Sequence, residues 1–226
     1  MTTPNDSLDF YPTPDSLAFD MVFSLREVKS GFTTYPRPIL EPSAGDGALA
    51  HQIHSLVFDV HHDRKTGEVD RYDKEKARSA ELDCIELSSD FRAVLKKDGF
   101  RVVHDNFLTF RPTTKYGAIV MNPPFSAGAA HLIKALDVMQ DGGKIRCLLN
   151  AETLRNPCTN ERKELAARLE ALHATGKYCP DAFKNARRGA RVEVALVSVD
   201  IPDREPVSRI RLDLKNETAE HLKENP

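Results

Sequence analysis

Asn122-Pro123-Pro124-Phe125 is the tetrapeptide in this sequence best equipped for chemistry. It directly follows an apolar run, Gly117 to Met121, that suits a strand buried on both faces. Two prolines cannot continue a central strand, because they lack the ladder donor. The chain must therefore leave the sheet in a rigid, preset shape. Asn122 is held at the carboxyl end of the strand, where its amide can accept and donate. The Pro123 carbonyl has also left the ladder and can face a ligand. Two acceptors side by side suit an amino group with two hydrogens, and Phe125 can stack on a flat ring. The plain alternative is a proline-rich turn with a core Phe.

Three further segments carry polar groups at strand ends. Glu41-Pro42-Ser43-Ala44-Gly45-Asp46-Gly47 joins a first strand to a first helix. Gly45 and Gly47 allow a tight turn and close approach of a ligand. Glu41 there would repel a phosphate and attract a cationic amine. Glu86, with Leu87 beside it, ends a second strand, and a carboxylate there can accept both hydroxyls of a ribose. Taken alone it reads sooner as a surface residue after a strand. Asp105-Asn106-Phe107 follows a third strand; the pair could bond an adenine ring and the Phe cover it, or the Phe could turn back into the core.

The elements that must position these residues alternate along the chain. Strands are expected at Arg37 to Pro42, Leu82 to Leu87, Arg101 to His104, Gly117 to Met121, Lys144 to Leu149 and Arg191 to Ile201. Helices are expected at Gly47 to Asp59, Ser89 to Lys97 (capped by Ser88 or Ser89), Ala127 to Met139 (ended by Asp141-Gly142-Gly143) and Asn160 to His173. Alternation of this kind predicts an α/β fold: a doubly wound, mostly parallel seven-stranded sheet in a single Rossmann-like domain over 1–205. Residues 61–79 are polar without apolar periodicity and read as an exposed insertion. Residues 206–226 read as a last strand, Val207 to Leu214, and a charged tail.

EPSAGDG, DCIEL, DNFL and NPPF, in that order, resemble the amino-group methyltransferases that use S-adenosylmethionine, and most of all their DNA adenine-N6 group. Asp9-Phe10-Tyr11-Pro12-Thr13-Pro14 resembles the segment before the first strand in that group. The resemblance covers residues 9 to 200, roughly, and implies a class I methyltransferase with S-adenosylmethionine as cofactor. It implies that Tyr11 and Thr13 line the methionine end and that Glu41, in the turn with Pro42, Ala44, Gly45 and Gly47, holds the amino-acid portion. Glu86, beside Leu87, would take the ribose. Asp105 or Asn106 would bond the cofactor adenine, with Phe107 on its face; the group usually has an acid immediately before that Phe, where this chain has Asn106. Asn122 and Pro123 would accept from the target amine, Pro124 would complete the rigid loop, and Phe125 would stack on the target base. An exocyclic amine is a weak nucleophile because its lone pair is delocalised, and two acceptors on its hydrogens favour the localised form nearer the transition state. A base in a duplex would have to be flipped out.

The implied partner is DNA, with RNA as the alternative. Phe183, Lys184, Arg187 and Arg188 lie in a basic stretch that reads as a phosphate-contacting lip or, equally, a solvated loop. Rival readings are methylation of an RNA base amine or a protein glutamine, or a non-catalytic cofactor-binding subunit. Little sequence after Ile201 is left for a separate target reader, so target choice is expected from loops, the 61–79 insertion, a protein partner or nothing specific.

Composition narrows the classes. The chain has 226 residues and a net charge of −2, which argues against coating nucleic acid by charge alone and leaves room for a local basic patch. Charged residues make up 29%, and the longest uncharged stretch, Tyr116 to Ile133, contains Asn-Pro-Pro, so no membrane partner is expected. No secretory signal pattern opens the chain, and the cysteines, Cys84, Cys147, Cys158 and Cys179, form no Cys-x-x-Cys pair. Free thiols in a cytoplasmic protein are the expectation. No metal site is expected: His61 and His62 are adjacent and lack ligand spacing.

Overall fold

Strands that alternate with helices bury both of their faces, and these strands do so against two separate layers. The structure is a computed structural model that describes residues 11–58, 81–180, 182–183 and 193–203. Seven strands form one sheet in the order β5-β4-β3-β6-β7-β9-β8. They are β3 (Ile39–Glu41), β4 (Leu82–Ile85), β5 (Arg101–His104), β6 (Tyr116–Met121), β7 (Met139–Asn150), β8 (Thr175–Cys179) and β9 (Val194–Asp200). β5, β4, β3, β6 and β7 pair parallel, and β9 runs antiparallel between β7 and β8. The expected α/β, mostly parallel seven-stranded sheet is what the chain forms.

Successive residues of the central strands serve alternate cores, as the two-residue repeat requires. Ile39, Leu82, Cys84, Ala118 and Val120 pack with α1 (Asp15–Phe23) and α2 (Ala48–Phe58) on one face. Leu40, Ile85, Ile119 and Met121 pack on the other with α4 (Gly128–Val138) and α6 (Asn160–Ala171). Two further α-helices, α3 (Ser89–Lys97) and α5 (Ala151–Arg155), and one 3-10 turn over Phe125–Ala127 complete the described set. Ser88 caps α3, its hydroxyl accepting from the Phe91 N–H at 3.4 Å, as the sequence suggests.

Several elements depart from expectation. Asp-Gly-Gly does not end a helix: α4 stops at Val138 and β7 begins at once, passing through Gly142 and Gly143. α1 is unanticipated, as are β8, α5 and a small hairpin of β1 (Glu27–Lys29) and β2 (Phe32–Thr34). The hairpin turns on Ser30 and Gly31, both with positive φ (52° and 81°), the backbone that a two-residue hairpin loop demands. The insertion at 61–79 and the strand and tail at 206–226 lie outside the described residues. Among the described residues no helix is long and apolar enough to cross a membrane.

β6 approaches the chain ahead of β3 closely. A Cβ on Gly117 would lie 2.5 Å from the Arg37 carbonyl oxygen and 2.6 Å from its nitrogen, both backbone atoms that cannot swing aside. Gly117→Ala is expected to destabilise the protein by about 1–3 kcal/mol, as overpacking does in tight interiors. Urea unfolding checks this: an unchanged midpoint would contradict the close approach.

Candidate active site

The chain runs from β3 outward to β4 and β5, then returns to β6 on the other side of β3. Side chains beyond the carboxyl ends of these strands therefore share one crevice at the switch point. A cavity of about 610 Å³ occupies it. Tyr11, Thr13, Glu41, Pro42, Ala44, Gly45, Glu86, Leu87, Asp105, Asn106 and Phe107 all line it, with Asn122, Pro123, Pro124 and Phe125. Gly47 does not. It has φ +90°, and a Cβ there would meet the Leu95 side chain at 3.1 Å, so it shapes the turn and its packing on α3.

β3 and β4 each bury a carboxylate, and the two differ in kind. Asp83, inside β4, is satisfied: the Tyr116 hydroxyl donates to it at 2.7 Å and Arg101 Nε at 2.5 Å. Glu41, at the end of β3, is 1% exposed, and its Oε2 has no hydrogen-bond partner among the described residues. A buried acceptor left unpaired is costly. Burial first, and then the nearby charges of Asp46 and Glu86, push the Glu41 carboxyl well above the ordinary carboxylate range. Such a site favours a cationic donor arriving from the cavity.

Glu86 ties two turns together. The Gly45 N–H donates to its Oε2 and the Ser88 N–H to its Oε1, each at 2.7 Å. Each oxygen keeps a further lone pair for a ligand. In the next loop, Asn106 Oδ1 accepts from the Leu108 N–H at 3.0 Å, which commits its carbonyl to the turn. The Asp105 side chain is 62% exposed.

Phe107 departs from its expected role. It is 2% exposed and packs in the core with its ring 5.8 Å from that of His131, so no open face remains for a ligand ring. Leu87 and Leu108, exposed at 72% and 39%, line the same cavity and supply apolar surface instead.

Asn122 is oriented by the segment before α1. Its Nδ2 donates to the Tyr11 carbonyl at 2.8 Å and to the Thr13 hydroxyl oxygen at 3.1 Å. A carbonyl only accepts, so Nδ2 must face it, and Oδ1 is the group left over. The Tyr11 ring stacks on Phe125, with centroids 5.2 Å apart and planes at 22°. Phe183 meets both rings edge-on, at 5.8 and 5.9 Å. It is 1% exposed, which corrects its assignment to a nucleic-acid-contacting lip: it is a buried support for Tyr11 and Phe125. Lys184, Arg187 and Arg188 lie outside the described residues.

His131 escaped the sequence reading. It is 8% exposed, lines the cavity, and its Nδ1–H donates to the Ala127 carbonyl at 2.9 Å. Burial lowers its pKa, so the ring is neutral and Nε2 is an acceptor. A single His in a helix has no spacing signal; its place one turn beyond the NPPF loop was the available clue.

Glu41→Gln removes a penalty that grows with pH. The raised folded pKa means that the native state holds this proton more tightly than the unfolded chain. Glu41 therefore costs nothing below the ordinary carboxylate range and progressively more as pH climbs toward the folded value. In the ligand-free protein, Glu41→Gln should raise the melting temperature at pH 8 more than at pH 5. An equal shift at both, read by differential scanning fluorimetry, would refute it.

No protein-family model and no curated protein matches the sequence, but solved structures do. A type I restriction-modification methyltransferase subunit from Streptococcus thermophilus superposes with TM-score 0.61 at 13% identity, covering 87% of this chain and 46% of that one. The chain thus spans about half the length of that subunit. The 23S rRNA methyltransferase ErmE gives TM-score 0.54 at 15% identity, over 87% of this chain and 72% of that one. The N-methyltransferase NodS from Bradyrhizobium japonicum WM9 gives 0.52 at 11%, over 84% and 94%. With the sheet order and its single antiparallel strand, these likenesses establish that the chain has the fold of the class I S-adenosylmethionine-dependent methyltransferases.

Proposed function

We propose that the protein transfers a methyl group from S-adenosylmethionine to the exocyclic N6 amine of adenine in DNA. The observation that carries this reading is Asn122, whose amide is turned so that only its oxygen is left to accept, beside Phe125 and on the same cavity as Glu41.

The residues fit the cofactor. The unpaired buried oxygen of Glu41 suits its ammonium group, and the Gly45 turn leaves backbone room beside it. Glu86 has lone pairs for two ribose hydroxyls. An adenine would lie between Leu87 and Leu108, with its amine toward Asp105, since the Asn106 carbonyl is committed to its turn. When bound, the cofactor supplies an electrophilic methyl on a sulfonium: the N–CH3 bond forms as the S–CH3 bond breaks, and the extra proton on nitrogen passes to water.

The protein's contribution is to place the acceptor. Asn122 Oδ1 and the Pro123 carbonyl hold the amine hydrogens and draw the lone pair out of conjugation with the ring. Phe125 replaces part of the stacking lost on flipping, worth about 1–3 kcal/mol. Holding amine and methyl together supplies much of the remaining acceleration. A nucleobase amine is favoured over a glutamine amide because Phe125 offers a ring-sized apolar face. DNA is favoured over RNA on the resemblance of NPPF and EPSAGDG to the DNA adenine-N6 group.

N6-methyladenine should appear in the DNA of cells expressing the protein; unmodified DNA alongside methylated RNA would replace the substrate. With labelled cofactor in vitro, Asn122→Ala should lower kcat by about 100-fold or more while cofactor affinity stays within a few-fold. Equal turnover in the variant and the wild type would sink the mechanism. Glu41→Gln should instead weaken cofactor binding by about tenfold or more, loss of a charge-assisted contact, as titration calorimetry can show.

A further inference from the structure

An asparagine amide is nearly symmetric in shape, so hydrogen bonds alone decide which end faces a ligand. At Asn122 both Nδ2 hydrogens are spoken for, one by the Tyr11 carbonyl and one by the Thr13 hydroxyl oxygen. Rotation by half a turn would set Oδ1 against the Tyr11 carbonyl oxygen, two acceptors with no hydrogen between them, and present hydrogens to the cavity. The pocket would then greet a carbonyl rather than an amine.

The two strap contacts are not equivalent. The Tyr11 partner is backbone, present whatever the side chain. The Thr13 partner is a side chain, 7% exposed, and can be removed without breaking the chain's course. The strap is itself firmly seated. Pro14 follows Thr13, and its carbonyl accepts from the Leu17 and Ala18 N–H groups at 2.9 Å each, opening α1. That helix buries Leu17, Ala18, Met21 and Val22 in the core. The Tyr11 ring rests on Phe125, so the segment that turns the amide also sets the stacking ring.

We propose that the Tyr11–Thr13 strap is the device that makes the target pocket amine-selective: the Tyr11 carbonyl decides which end of the Asn122 amide faces the cavity, and Thr13 is the positioning residue that fixes the angle of that amide. This rests on the reading of Asn122 as the acceptor of the target amine. It assigns Thr13 a role distinct from lining the methionine end of the cofactor, and the two roles separate experimentally.

Thr13→Val removes the hydroxyl and keeps the shape; Thr13→Ser keeps the hydroxyl and drops the methyl. At saturating cofactor, Thr13→Val should lower kcat by about tenfold, the scale of one lost hydrogen bond, with cofactor affinity within threefold of wild type. Thr13→Ser should restore kcat. A weakened cofactor affinity with unchanged kcat, or a Ser variant no better than Val, would overturn the proposal. Binding of oligodeoxyadenylate relative to oligodeoxyinosinate, which carries a carbonyl in place of the amine, should favour adenine in the wild type and, with the Tyr11 carbonyl still in place, in Thr13→Val; no preference in the wild type would count against the strap.

A third measurement needs no activity. In 15N-labelled protein the side-chain amide of Asn122, identified by its loss in Asn122→Ala, should shift and exchange faster in Thr13→Val but not in Thr13→Ser. If the amide is indifferent to Thr13, the inference fails even in a fully active enzyme. If the amide responds but the wild type methylates no nucleic acid, the strap stands and the proposed substrate falls. Should Thr13→Val not fold, Thr13→Ala removes the same hydroxyl and answers the same question.

Discussion

Parallel pairing of β3 with β4 on one side and β6 on the other is the constraint from which the rest follows. Ile39 lies opposite both Leu82 and Ala118, so three strands end at nearly the same level. Parallel strands cannot be joined by tight hairpins, so each must be followed by a connection that leaves the sheet at that level. Glu41 is the last residue of its strand, and Glu86 and Asn122 are the first residues out of theirs. Their closeness in space owes nothing to closeness in sequence; it is a property of register.

The site shows how buried polar groups divide by purpose. Asp83 is buried among partners and stays in the sheet. Asn122 is bonded on one side and unfinished on the other. Glu41 is buried with one oxygen left over. A fold that only had to be stable would finish all three, since half-satisfied networks cost more than apolar packing. The two unfinished groups face one cavity, and the Tyr11, Phe125 and Phe183 rings support one of its walls without any polar demand.

The legible part of the chain was the part where burial dictates pattern. Gly117 to Met121 reads as a central strand because all of its residues must be apolar, and the Asn-Pro-Pro after it must leave the ladder. The Gly45 turn, the Ser88 cap and the alternation of elements were legible for the same reason. β8 was not, because Thr175 to Tyr178 is an exposed edge that buries nothing and so carries no apolar alternation. α1 hides its core residues in adjacent pairs, Leu17-Ala18 and Met21-Val22, inside a segment that also exposes Phe19 and Phe23. Phe107 and Phe183 were misjudged because an aromatic beside polar residues looks the same in sequence whether it faces a ligand or the core; only the packing around it decides. The tie between Thr13 and Asn122 spans 109 positions, which no local pattern can show.

The orphaned oxygen of Glu41 also bears on how long the protein survives. The empty form carries a buried carboxyl group with one oxygen unpaired, and a ligand that pairs with it relieves that burden only in the folded state. Binding at a concentration one hundred times Kd adds about 2.7 kcal/mol to folding stability. Shifts of that size change how often a chain opens to proteases and therefore its abundance. With the proposed cofactor as the ligand, a cell short of it would not merely idle this protein but would turn it over faster, so supply of the methyl donor would set the amount of catalyst as well as its rate.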